Sequence, residues 1–182
     1  MPIVYLGLGS NIEPQKNLRL GLRELERRFG KLDRSSVYQS KAYGFDGDDF
    51  LNMVVGLDTK LLPIEVYDQI EEIQRATGRD RVVRGYLSRT LDIDLLLYND
   101  LILDQAPIQL PRSDVLRFSF VLGPLAEIAP KLTHPETGQS YQDLWDSFDA
   151  DRYPITRQLE SRFINRRDSK TFKSNPREDW KV

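Results

Sequence analysis

The chain has no cysteine, a single histidine and no long apolar run. The lack of cysteine excludes disulfides, thiolate nucleophiles and zinc–cysteine sites, and it fits a reducing compartment. The single histidine, His134 in "THPETGQS", cannot by itself build a triad with spare partners or a multi-histidine metal centre. No stretch approaches the roughly 18 apolar residues that span a bilayer. The opening "MPIVYLGLGSN" has neither the basic nor the long apolar region of a secretion signal, so it reads as a first strand. Charge of one sign is also missing: the net charge is −2, which gives no overall polyanion-binding signature. These absences lead to an expectation of a soluble, cytoplasmic protein.

What is present is enough for one domain. Of 182 residues, 40% are hydrophobic, which suits a single core plus a tail. Residues 2–10 are a short apolar run ending in glycines, a buried-strand pattern. Pro14 opens a helix whose stripe is Leu18, Leu22, Leu25 and Phe29, with Gly30 just past its end. Residues 35–40 read as a second strand, 41–50 as a loop rich in glycine and aspartate, and 50–59 as a third strand. Pro63 opens a second helix with Val66, Ile70 and Ile73 inward, closed by Gly78. An arginine-rich loop over 79–88 precedes a fourth strand, with 99–103 as a possible hairpin return. A helix from near Ser113 meets a break at Pro124, and a last helix carries Trp145. The order β-α-β-β-α-β predicts an α+β, ferredoxin-like antiparallel sheet with helices on one face. Residues 1–160 form the expected domain. Residues 161–182 form a basic extension, with seven Lys/Arg against three Asp/Glu, so its net +4 leaves −6 for the rest.

The fourth strand, "RTLDIDLLLY" (89–98), carries the sharpest signal. Leu91, Ile93, Leu95 and Leu97 alternate with Asp92, Asp94, Leu96 and Tyr98. Alternation puts Asp92 and Asp94 on one face, about 7 Å apart along the strand. Two neighbouring carboxylates need compensation if they are buried. One candidate is a ring of arginines: Arg75, Arg79, Arg81, Arg84 and Arg89 all lie in the fifteen residues from 75 to 89. The other is a magnesium ion, which takes one or two carboxylates together with substrate phosphates; nearby arginines would then bind the rest of a polyphosphate. A solvated face with a wet arginine loop is the plain alternative, and spacing does not choose among the three. "GLGSN" (7–11) lacks the lysine of a phosphate loop and reads as a strand-to-helix turn, with Gly9 free to allow a close approach. Asn52, inside the third strand, needs a partner for its amide. Phe50, Phe120 and Trp145 are each accounted for by core packing.

Taken together, "YLGLGSN", "FLNMVV", "GRDR…SRTLDIDLLLY" and "FVLGPLAEIAP" resemble, in order and spacing, the 6-hydroxymethyl-7,8-dihydropterin pyrophosphokinase family over roughly residues 1–148. The resemblance implies a ferredoxin-like fold and transfer of the β,γ-pyrophosphate of ATP to the pterin hydroxymethyl group with release of AMP, in folate biosynthesis. It implies two Mg2+ ions held by Asp92 and Asp94, with ATP as co-substrate. It makes Arg79 and Arg89 phosphate-contacting catalytic residues. It implies a pterin site of Ser40, Tyr43, Phe50, Asn52 and Phe120, with the two phenylalanines sandwiching the ring. It assigns Gln74, Arg81, Arg84, Arg89, Arg112 and Arg117 to ATP. Loops 41–49 and 79–88 would close over the substrates. The chain departs from the family pattern at Gln74 (acidic there), Tyr86 (tryptophan), Leu87–Ser88, Arg112 (histidine), Ser113 (tyrosine) and Phe118 (arginine, with Arg117 one position earlier). The implied partners are the pterin and ATP, with no membrane and a monomer as the default. Nucleic acid is not expected, since the third strand lacks a stacking aromatic pair and the core is acidic. The competing reading is a divergent paralogue that binds a pterin with altered substrate or little activity.

Overall fold

The computed structural model describes residues 1–77 and 88–159. The first strand, β1 (Ile3–Ser10), lies in the middle of the main sheet. Helix α1 (Pro14–Phe29) has Pro14 in its first turn, where a missing N–H costs nothing, and Gly30 beyond its end at φ 82°. Its predicted stripe faces the core: Leu18 and Leu25 are buried, and Leu22 and Phe29 pack beside them. Gly21 lets the helix approach the start of the fourth predicted strand, since a Cβ there would stand 2.8 Å from Leu91 Cδ2.

The single strand expected over 35–40 is two short strands, β2 (Asp33–Arg34) and β3 (Tyr38–Ser40), both paired with β4 (Phe50–Asp58). The ladder breaks because the Ser35 hydroxyl accepts from Val54 N (2.9 Å), while Ser36 is drawn away by Glu127. Helix α2 (Pro63–Ala76) buries Val66, Ile70 and Ile73. Strand β5 (Asp92–Tyr98) follows, antiparallel to β1. The expected hairpin return over 99–103 does not pair with β5. Asn99 N instead donates to Ile3 O and Asn99 Oδ1 accepts from Ile3 N, both at 2.8 Å, which hooks the chain to the start of β1. Strands β6 (Leu103–Gln105) and β7 (Ile108–Leu110) then form a separate ribbon.

The helix expected from Ser113 is α3 (Asp114–Arg117) and α4 (Ser119–Ile128), separated at Phe118 by one extended residue, not at Pro124. Pro124 stays inside α4 because its neighbours Leu122, Leu125 and Ala126 are buried, and that packing outweighs one lost hydrogen bond. Helix α5 (Tyr141–Asp146) is capped by Ser140, whose hydroxyl accepts from Asp143 N at 3.1 Å. The chain returns through β8 (Ile155–Arg157). Among the described residues no helix is long and apolar enough to cross a membrane. The predicted 161–182 extension lies outside the described residues.

The sheet order is β5–β1–β4–β3–β8 with every pair antiparallel, the ferredoxin-like order with one added edge strand. Helices cover both faces, not one. One core joins α1 and α2 to Leu6, Leu8, Met53, Val55 and Ile93; the other joins α4 and α5 to Val54, Leu96 and Leu97. This double cover explains why β4 reads as a nearly unbroken apolar run. It also exposes an error in simple alternation. Tyr5 pairs with Leu97 but Leu6 pairs with Leu95, so Leu96 is a bulged extra residue. Leu96 and Leu97 therefore enter the same core, and Tyr98 crosses to the other, where its hydroxyl donates to Leu61 O at 2.9 Å.

Glu127 of α4 ties the second core to the sheet margin. It accepts from Ser36 N (2.8 Å), Ser36 Oγ (2.7 Å) and Tyr38 Oη (3.1 Å). Burial first, and then the Glu127 charge and hydrogen bond, raise the Tyr38 phenol from 10.0 to about 12 against the opposing pull of Arg157. A raised folded value means the protonated phenol stabilises the fold fully below the unfolded value, and that contribution is lost as pH rises through the folded one. Alkaline titration followed by phenolate absorbance should therefore show a late tyrosine near pH 12 that disappears in Tyr38→Phe, and stability lost between pH 10 and 12 should be smaller in the variant.

Candidate functional site

Helix α4 covers only part of its sheet face, and the rest is a trough. Across the strands Asp92 pairs with Gly9, Gly9 with Asn52, and Asn52 with Tyr38; Asp94 pairs with Gly7. Directly paired residues share a face. The two carboxylates, the two glycines and Asn52 thus form one floor, continued by Phe50 and Ser40 one step along β4 and β3. The glycines keep the space between β5 and β4 clear. A Cβ at Gly9 would lie 3.2 Å from Asn52 Oδ1 and 3.8 Å from the Phe50 ring. "GLGSN" is therefore more than a turn: its glycines shape the trough.

Among the described residues, the paired aspartates meet Arg112, which lies downstream of the strand. Arg112 Nη2 lies 3.3 Å from Asp94, and Arg112 Nε donates to Asp114 at 2.7 Å. Arg112 N donates to Leu96 O at 2.9 Å, which fixes its backbone beside β5. Burial alone would lower the guanidinium pKa, but Asp94, Asp114 and, more weakly, Asp92 carry it above its ordinary value. The side chains of Asp94 and Arg112 are 35% and 39% exposed, so the pair is open to a ligand and not sealed. Arg75 turns back on α2, its Nε donating to Glu71 O at 3.2 Å. Arg79, Arg81 and Arg84, with Tyr86 and Leu87, lie outside the described residues. Among the described residues no group of three His, Asp or Glu side chains could enclose a metal ion. A hard cation on Asp92 and Asp94 would complete its shell with phosphate oxygens and water, the usual habit of magnesium.

Two residues that position this floor were less legible. Asn11 is 4% exposed and clamps three segments. Its Oδ1 accepts from Arg89 N at 2.6 Å, and its Nδ2 donates to Ser88 Oγ and Asp48 O. Asn11 N and Ile12 N both donate to Arg89 O at 3.1 Å, so the Arg89 backbone is held on both sides. Ser10 Oγ donates to Thr90 O. An asparagine between the end of a strand and a proline-started helix was the available signal, and from sequence alone it reads as part of the turn. Gln74, implied above to contact ATP, is 1% exposed. Its Oε1 accepts from Ile93 N at 3.0 Å, and its Nε2 donates to Glu71 Oε1 at 3.1 Å. Ile93 stands between the two aspartates on the open edge of β5, so Gln74 satisfies an outward N–H where β5 has no partner strand.

The other end of the trough is aromatic. Asn52 Nδ2 donates to Ser40 Oγ at 2.9 Å, with both residues buried. Phe120 is half-buried and stacks on buried Phe118, with ring centroids 4.9 Å apart at 14°. Phe118, standing where an arginine was expected, thus backs Phe120. Tyr43 meets Phe118 edge-on at 4.9 Å. Phe50 meets Phe45 of the 41–49 loop edge-on at 6.2 Å. Arg117 ends α3 with its guanidinium 5.3 Å over the Phe118 ring. His134 is buried, accepts from Glu136 N through Nδ1 (3.3 Å), and is pushed down in pKa by burial; it shapes a turn away from the trough.

Residues 5–130 match a model of the 7,8-dihydro-6-hydroxymethylpterin-pyrophosphokinase (HPPK) family. The chain is 37% identical over 138 residues to a 2-amino-4-hydroxy-6-hydroxymethyldihydropteridine pyrophosphokinase of Aquifex aeolicus, covering 74% of this chain and 85% of that one. It is 36% identical over 159 residues to the protein of the same name in Synechocystis, covering 85% and 81%. Among solved structures it is similar to Plasmodium falciparum HPPK-DHPS with STZ-DHP, at a TM-score of 0.67 and 14% identity, over 83% of this chain and 42% of that one. It is similar as well to the S436F/A437G/A613S triple mutant of that protein, at a TM-score of 0.65 and 14% identity, over 80% and 41%. The chain spans about two-fifths of the length of those structures, and the likeness to them supports the fold alone.

Gln74→Leu keeps the shape but leaves the buried Ile93 N–H without an acceptor, and should cost about 1–3 kcal/mol in urea unfolding. Glu71→Ala removes the acceptor of the Gln74 amide nitrogen but leaves the Ile93 bond, and should cost measurably less; equal losses would show that the bond to Ile93 is immaterial.

Proposed function

We infer the mechanism from one premise: the chain belongs to the 7,8-dihydro-6-hydroxymethylpterin-pyrophosphokinase family. It transfers pyrophosphate from ATP to the hydroxymethyl group of 6-hydroxymethyl-7,8-dihydropterin, a step of folate biosynthesis. The observation that carries the assignment of roles is the shared floor: paired aspartates at one end, and a buried amide with Phe50 and Ser40 beside it at the other.

In this reading the pterin lies between Phe50 and Phe120. Asn52, with its amide nitrogen already committed to Ser40, turns its carbonyl oxygen toward ring N–H groups. A flat ring between two apolar faces gains stacking, and the Asn52 contact fixes its direction. Tyr43 and Ser40 complete that end. The hydroxymethyl oxygen then faces the aspartates. It bonds to the β-phosphorus, the bridge between α- and β-phosphates breaks, AMP leaves with the bridging oxygen, and the hydroxyl proton passes to solvent. Asp92 and Asp94 suit Mg2+, as two carboxylates on one strand face with glycines paired to them on β1, and we assign them two ions. Held by Asp92 and Asp94, Mg2+ would supply charge neutralisation for the transferring group. Arg112 presents a permanent cation beside Asp94 for a phosphate oxygen, and its partner Asp114 sets its orientation. Arg79, Arg81, Arg84 and Arg89 are assigned to the phosphates from their sequence positions, with Arg89 the one whose backbone Asn11 fixes. Arg117 is assigned to the outer rim of the nucleotide site. The use of ATP and a reduced pterin points to the cytoplasm.

The test is AMP release from Mg-ATP with 6-hydroxymethyl-7,8-dihydropterin. Asp92→Ala and Asp94→Ala should each lower turnover by at least several hundred-fold, on the scale of losing metal or oxyanion stabilisation. Wild-type rates in both variants would overturn the aspartate roles. Pterin binding without AMP release by the wild type would favour a binding protein over an enzyme.

A further inference from the structure

The family model matches only as far as residue 130, yet the described chain continues to 159 and its last part returns to the trough. After α5, a short 3-10 turn (Ala150–Arg152) leads into β8, which pairs with β3 so that Ile155 lies opposite Ser40 and Arg157 opposite Tyr38. Three contacts pin this strap. Ile155 packs over Gly123 of α4, where an added Cβ would stand 2.9 Å from its Cδ1. Ser119 Oγ donates to Tyr153 O. Arg157 reaches Glu127 at 3.4 Å.

The strap delivers Arg152, Tyr153 and Pro154 to a cavity of about 290 Å³ whose other walls include Ser40, Tyr43 and Phe120. The Tyr153 ring stands edge-on to Tyr43 (5.4 Å, 82°) and to Phe118 (5.3 Å, 66°), the ring that backs Phe120. The Arg152 guanidinium lies over the Tyr153 ring at 5.3 Å. Three residues assigned to the pterin thus share one cavity with three residues beyond the span of the family model.

We propose that this strap is a wall of the pterin pocket and that Tyr153 is a specificity-determining residue for the ring it admits. The inference rests on the pterin reading above and adds the residue that limits the pocket. Tyr153 is suited to the role physically. Its backbone carbonyl is anchored by Ser119, its ring is held on two edges by other rings, and an aromatic side chain has few rotamers to lose. The limit it sets is therefore rigid.

The experiment is steady-state kinetics of the full chain with both substrates varied, using the parent dihydropterin and one with an added ring methyl group. Tyr153→Ala should raise the pterin KM roughly tenfold or more and reduce discrimination against the methylated ring. The ATP KM and the thermal midpoint should change little. Tyr153→Phe should restore wild-type behaviour, and Tyr153→Trp should sharpen discrimination against the methylated ring even if the alanine variant folds poorly. Asn52→Ala serves as the reference for the pterin site. A normal pterin KM and normal discrimination in the Tyr153 variants, with Asn52→Ala impaired, overturns the strap alone. A normal pterin KM in both overturns the pterin reading itself. A rise in both substrate KM values together with a lowered midpoint assigns Tyr153 a structural role and also overturns the proposal.

Discussion

The antiparallel register between β1 and β5 is the constraint on which the site depends. It places Gly7 and Gly9 opposite Asp94 and Asp92, so no side chain from β1 crowds the two carboxylates. A slip of one residue would turn both aspartates into the α1–α2 core and put Ile93 in the trough. Several otherwise separate features hold that register. Gln74 takes up the outward N–H of Ile93, Asn11 grips the chain before β5, and Asn99 hooks the chain after it. The bulge at Leu96 interrupts the pairing just past Asp94, and Arg112 attaches there through Leu96 O.

Much of this was legible in residue order. The helix stripes of α1 and α2, the strand identity of 3–10 and 50–58, and the shared face of Asp92 and Asp94 all follow from local period and capping chemistry, which act within a few residues. What local period could not reveal came from contacts distant in the chain. The split of β2 from β3 depends on Glu127, about ninety positions away. The parity of Leu97 and Tyr98 is reversed by a bulge that leaves no composition mark. The second helical layer was missed because an all-antiparallel sheet commonly leaves one face wet, and only the near-continuous apolar run of β4 hinted otherwise.

Site residues divide along the same line. Asn52 was conspicuous because an amide in a central strand demands a partner, and Ser40 supplies one. Gln74 was assigned to a nucleotide from its position in a pattern, whereas its carboxamide lies inside the protein, bonded to a backbone N–H. Phe118 shows the same limit: a position read as a missing arginine is a buried ring stacked on Phe120. Side-chain identity announces chemistry well where the residue is costly in its setting, and poorly where a neutral side chain fits either role.

Strand β8 has a further consequence, for how the molecule meets other chains. A sheet that ended at β3 would present a bare row of peptide groups beside buried apolar residues, an invitation to intermolecular cross-β growth. The three-residue β8 pairs with the equally short β3 and takes up its outward peptide groups, while at the far margin Gln74 fills the hydrogen-bonding slot at Ile93. Shortening the chain before Ile155 would therefore bare the outward peptide groups of β3 as well as alter the pocket.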